Sequence, residues 1–168
     1  MSGKTDPRST GSKNAGTTNT LRSSGKTAAL VVLIGDLAKG AIAVFIGRYL
    51  GVTGLTLGLV AVAAVIGHIY PVFFGFKGGK GVATAIGSLF GLSLLLFIVA
   101  VAIFIIITLL TRYASLASLA AMAVATALSL FVATVYFIPL LIMLALITFK
   151  HLPNIQRLKN GQENKIRF

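Results

Sequence analysis

Five apolar stretches fill most of this 168-residue chain: Thr27 to Arg48, Thr53 to Ile66, Val82 to Thr111, Leu119 to Val135 and Leu140 to Phe149. Hydrophobic residues make up 57% of the sequence and charged residues only 11%. With a mean hydropathy of +0.96, a soluble domain of this length could not hide that much apolar surface, so lipid must be the main solvent. Backbone polar groups in lipid have to be satisfied within the segment, and runs this long do so as helices. The expected fold is therefore all-α, a polytopic membrane helix bundle. The first 26 residues are polar, and no short apolar core with a cleavage site follows, so no removable signal peptide is expected. Cysteine is absent, which excludes disulfides and thiolate metal sites.

The formal net charge is +12, with fifteen Lys and Arg against three acids, Asp6, Asp36 and Glu163. In a soluble protein that balance would suggest nucleic acid. Here the cations stand where apolar segments end, which points instead to membrane anchoring and an anionic substrate, with no nucleic-acid partner. Val82 to Thr111 is too long for one crossing, since 30 residues of helix span about 45 Å against a hydrocarbon core of about 30 Å. The positive-inside rule favours a break between Gly87 and Ser93, which keeps Lys77, Lys80 and Arg112 on one side. About six transmembrane or half-depth helices result. They put residues 1–26, the loop 67–81, Arg112 and the tail 150–168 on one cytoplasmic face of a single domain, with residues 27–149 in the membrane and Arg48 opposite.

Those polar stretches hold the candidate chemistry. Gly78-Gly79-Lys80-Gly81 is a poor helix interior, because glycine costs about 1 kcal/mol per residue there relative to alanine. It is well suited to presenting bare backbone N–H groups, with Lys77, Lys80 and the N-terminal end of the following helix aimed at the same anion. An ordinary surface connection with two anchoring lysines has the same composition. The loop is no nucleotide P-loop, because Gly81 rather than Ser or Thr follows Lys80. His68, at the end of an apolar helix, reads first as an interfacial or structural hydrogen-bonder. His151, Asn154 and Arg157 recur every three residues and would share one helical face, where they could orient a hydroxyl beside a phosphate. A basic amphipathic tail lying on anionic lipid is the competing reading. Gly11 to Arg22 carries many small hydrogen-bonding side chains, as an oxyanion-holding loop or a plain linker would. Asp36 and Lys39, three apart in an apolar segment, read as a buried pair that fixes helix packing.

Together these stretches resemble the bacterial glycerol-3-phosphate acyltransferase family that uses acyl-phosphate as donor, the PlsY type. The family's motif G-S-G-N-x-G-x-T-N-x-x-R is similar to Gly11-Ser12-Lys13-Asn14-Ala15-Gly16-Thr17-Thr18-Asn19-Thr20-Leu21-Arg22, with Lys13 where the family has glycine. Its motif G-H-x-x-P-x-F-x-x-F-x-G-G-K-G-V-A-T matches Gly67 through Thr84 without a departure. A third region resembles Arg112 to Ser118 followed by Lys150 to Leu158. The family normally has seven membrane helices, and the resemblance begins at about the end of the first, so that helix is expected to be missing.

The resemblance implies acyl transfer from acyl-phosphate to the 1-hydroxyl of glycerol-3-phosphate, giving lysophosphatidic acid, with no metal or cofactor. It implies a multi-pass protein of the bacterial inner membrane with a cytoplasmic site and a place in phospholipid synthesis. Ser12, His151 and Asn154 would act at the reacting hydroxyl or its phosphate. Asn14, Thr18, Asn19, Arg22, His68, Lys77, Gly78, Gly79, Lys80, Gly81, Ser115 and Arg157 would bind substrate. A non-enzymatic anion transporter or lipid-binding protein, and an inactive family member, are the alternatives. Oligomeric state is not legible.

Overall fold

The computed structural model describes residues 16–166. Seven helices follow one another: α1 (Thr17–Ser24), α2 (Lys26–Tyr49), α3 (Gly54–Ile69), α4 (Val82–Leu92), α5 (Leu94–Thr111), α6 (Ala114–Val132) and α7 (Phe137–Lys159). Short 3-10 turns at Val72–Phe74 and Thr134–Tyr136 complete the described elements. Spans beginning or centred on α2, α3, α5, α6 and α7 are long and apolar enough to cross a bilayer, whereas α4, with 11 residues, rises only about 16 Å. Large apolar side chains such as Leu30, Ile34, Phe45, Ile98 and Leu109 stand exposed on the outside of the bundle. That is the signature of a lipid-facing surface.

Inside, Val44, Leu57, Val65, Leu89, Leu96, Met122, Leu140, Met143 and Ile147 form a continuous core across α2 to α7. The least exposed helix is α4. In α4, eight of eleven residues are buried, held against α2 by small residues facing each other. A Cβ on Gly40 would fall on the Thr84 carbonyl and on Ser88, one on Gly87 would meet the Leu37 backbone, and one on Gly91 would meet Val44. In lipid, where apolar side chains gain little by leaving solvent, close backbone approach through small residues is a main source of helix association. Gly87 and Gly91 thus work as packing contacts in a helix interior. The break falls at Ser93, whose extended backbone (φ −159°, ψ 116°) ends α4 and whose Oγ accepts from the Leu96 amide at 3.5 Å to start α5. On the far side, Arg48 Nη2 donates to the Leu92 carbonyl at 3.1 Å, satisfying a helix end left inside the bundle.

Four local expectations change. Part of the N-terminal stretch, read as a loop, is helical, since α1 runs from Thr17 to Ser24. Ala114 to Ser118 is the first turn of α6 rather than a polar interruption. The tail from Lys150 begins as nearly three turns of α7, which passes through Pro153 without ending. Asp36 and Lys39 do pair (2.7 Å), but Lys39 is half exposed, so only the carboxylate is buried.

Candidate active site

The glycine-rich turn is shaped by what lies beneath it. Gly78 donates its amide to the Ile69 carbonyl at 3.2 Å, and a Cβ at Gly79 would coincide with Nε2 of His68. His68 Nδ1 lies 3.4 Å from Asp36 Oδ1, so the Asp36 carboxylate on α2 orients the ring on which the turn rests. Gly81 then adopts φ +86° immediately before α4, a left-handed conformation that glycine takes at no steric cost. This chain of supports delivers Lys80 inward. Its Nζ donates to Asn154 Oδ1 at 2.5 Å.

Asn154 passes the connection on, because its Nδ2 donates to Glu163 Oε1 at 2.6 Å. The same oxygen accepts from Ser115 Oγ at 2.9 Å, and Glu163 Oε2 accepts from Arg157 Nε at 2.8 Å. The chain after α7 folds back as a strap: Arg22 Nη2 donates to the Asn164 carbonyl at 3.0 Å, and the Ile166 amide donates to the Arg112 carbonyl at 2.8 Å. His151 is buried one turn before Asn154, with Nδ1 2.8 Å from the Ile147 carbonyl. A carbonyl only accepts, so Nδ1 carries the proton and a neutral ring leaves Nε2 as an acceptor.

Around these groups lies a cavity of about 440 Å³, within the usual range for small-ligand sites. Thr18, Asn19, Arg22, Asp36, His68, Lys80, Gly81, Ser115, His151, Asn154, Arg157 and Glu163 reach its wall. Leu33, Leu37, Val82, Ile86, Val101, Phe104 and Ile105 continue the same cavity between α2, α4 and α5. One end is cationic and hydrogen-bonding; the rest is apolar.

Burial sets the charges. Desolvation lowers the Lys80 ammonium to about 8; nearby Glu163 opposes the shift, and Arg157 and Arg22 add to it. For Glu163, burial alone would raise the carboxyl, but hydrogen bonds from Asn154, Arg157 and Ser115 hold it below the usual range. Burial also lowers Arg22, with Glu163 opposing and Arg157 adding to the shift.

Of the residues expected from sequence, ten lie on this wall: Thr18, Asn19, Arg22, His68, Lys80, Gly81, Ser115, His151, Asn154 and Arg157. Lys77 is exposed, and Gly78 and Gly79 pack on His68 and its neighbours rather than lining the cavity. Ser12 and Asn14 lie outside the described residues. Sequence reasoning passed over Glu163. The signal was available: it is one of three acids in a chain of net charge +12, six residues after Arg157 in a basic tail.

A sequence model of the family described as "Glycerol-3-phosphate acyltransferase" matches residues 1–161. The chain belongs to that family. It is a multi-pass membrane acyltransferase. A glycerol-3-phosphate acyltransferase of Coxiella burnetii is 49% identical over 163 residues, covering 96% of this chain and 84% of the relative. One from a Shewanella species is 43% identical over 166 residues, covering 99% and 82%. The crystal structure of PlsY (YgiH), an integral membrane glycerol 3-phosphate acyltransferase, in its glycerol 3-phosphate form superposes with a TM-score of 0.91 at 37% identity. It covers 97% of this chain and 83% of that one. Its lysophosphatidic acid form gives 0.86, again at 37% identity, over 93% and 81%.

Proposed function

We propose that this acyltransferase moves a fatty acyl group from acyl-phosphate to the 1-hydroxyl of glycerol-3-phosphate, releasing lysophosphatidic acid and inorganic phosphate. The supporting observation is the hydrogen bond between Lys80, on the glycine-rich turn, and Asn154, on the His151–Asn154–Arg157 face. Residues 74 positions apart meet at the cationic end of a cavity whose other end is apolar, a shape that fits a phosphorylated amphiphile. Of the two superposed PlsY structures one is a glycerol 3-phosphate form and the other a lysophosphatidic acid form, which agrees with these molecules as acceptor and product.

In this reading Arg22, Lys80 and Arg157 hold phosphate, helped by the backbone of Gly81 and the start of α4. Ser12 and Asn14 join them from the first motif. His151 Nε2 and Asn154 orient the hydroxyl. Its oxygen attacks the acyl carbonyl carbon, the carbon–oxygen bond to phosphate breaks, and the proton leaves to His151 Nε2 or to a substrate phosphate. Acyl-phosphate already carries a good leaving group, so positioning and charge stabilisation can supply most of the acceleration. The apolar wall between α2, α4 and α5 takes the acyl chain. In this reading the positive-inside rule turns this face to the cytoplasm, and the bacterial glycerol-3-phosphate acyltransferases that the chain resembles support a place in a bacterial inner membrane and in phospholipid synthesis.

Purified protein incubated with acyl-phosphate and glycerol-3-phosphate is expected to form lysophosphatidic acid, and Lys80→Ala and His151→Ala to abolish it. Equal product from both variants would dismiss these site roles while leaving the activity intact. No product from the unaltered chain would favour a transporter or an inactive relative.

A further inference from the structure

Between α3 and the glycine-rich turn the chain makes an exposed apolar turn. Val72, Phe73 and Phe76 are 69%, 96% and 60% exposed, and Phe74 is 60% exposed beside them. Phe76 holds φ +60°, a backbone region that costs a non-glycine residue about 1–3 kcal/mol and persists only where its surroundings enforce it. The turn is closed by its own backbone: the amides of Phe74 and Phe76 donate to the Pro71 carbonyl, Gly75 to Val72, Lys77 to Phe74 and Gly78 to Ile69. Such a turn can enter a water-poor region without leaving those amides unsatisfied.

Its depth and its flanking charge indicate what it meets. The 16 residues of α3 rise about 24 Å, most of the way across a hydrocarbon core about 30 Å thick, so the turn emerges close to its edge. Lys150 Nζ lies 4.2 Å from the centroid of the Tyr70 ring, so one cation stands where the chain enters the turn and a second, exposed Lys77, where it leaves. Aromatic rings flanked by lysines match a boundary that is apolar on one side and carries anionic headgroups on the other.

We propose that residues 72–76 form an interfacial foot, seated between headgroups and acyl chains of the leaflet on the basic side, with Lys77 and Lys150 addressed to anionic headgroups. The foot leads within four residues to Lys80, so lipid contact and the geometry of the turn are mechanically joined. This inference concerns where the turn sits and stands whether or not the proposed reaction is right.

The chain contains no tryptophan, so Phe73→Trp supplies a single fluorophore at the tip. The protein is reconstituted into phosphatidylethanolamine–phosphatidylglycerol vesicles containing lipids brominated either near the headgroup or near the chain end. Emission is expected to the blue of tryptophan in water and to be quenched more by the shallow bromines. Val72→Trp should report the same, and Phe131→Trp, 84% exposed on α6, should confirm that lipid quenching is read. Replacing phosphatidylglycerol by phosphatidylcholine should weaken shallow quenching, and Lys77→Gln should reduce that dependence. A water-like, unquenched spectrum would overturn the proposal, as would stronger quenching by the deep bromines. So would an unquenched probe that shifts to the blue only in native membranes, which would mean that a protein covers the turn.

Discussion

Lys80 is a cation whose charge is conditional. With its ammonium lowered to about 8, it is protonated below that value and increasingly neutral above it. Anion binding through this group therefore weakens as pH rises through about 8. The KM for glycerol-3-phosphate should increase over that range, while Lys80→Arg, which keeps its charge, should flatten the profile. Steady-state kinetics on both forms at several pH values would show it. Glu163 poses the opposite case, a carboxylate held by three donors. Glu163→Ala leaves Asn154 and Arg157 short of an acceptor, and a buried donor without a partner costs about 1–3 kcal/mol. A lower thermal midpoint in detergent, together with reduced activity, is the expected outcome.

Among the elements, α4 depends most on its neighbour. It is too short to cross, carries Lys80 two residues before its start, and is located by contact with α2. Gly40→Ala would press a methyl group onto the Thr84 carbonyl and Ser88, and overpacking of this kind typically costs about 1–3 kcal/mol. Gly35→Ala, on the same helix with nothing within 4 Å of the added carbon, should leave the thermal midpoint and activity near the parent values. If Gly40→Ala proves as harmless as Gly35→Ala, close α2–α4 packing is not what holds the turn. The glycines also show why a break could be bracketed but not placed. Along one dimension Gly87, Gly91 and Ser93 all look like interruptions. Only the neighbouring helix shows that two are contacts and the third is the end.

For the molecule as a whole, positive-inside reasoning requires the glycine-rich turn and the end of α7 to open on one side, with Arg48 on the other. Because cysteine is absent, single cysteines introduced at Lys77, Gln162 and Tyr49 can be mapped with a membrane-impermeant thiol reagent. The first two should react from the same side and the third from the opposite one. Apolar run length determined the all-helical membrane fold, and the cations at the ends of those runs determined an expected topology, because transfer into lipid depends on composition more than on partners. The i, i+3 spacing of His151, Asn154 and Arg157 was readable for the same local reason. What only the tertiary structure decided is which groups meet. Lys80 reaches Asn154, Asp36 steadies His68 under the turn, and Glu163 returns to close the site. Such contacts between residues distant in sequence leave no periodic trace, since packing sets them and local propensity does not.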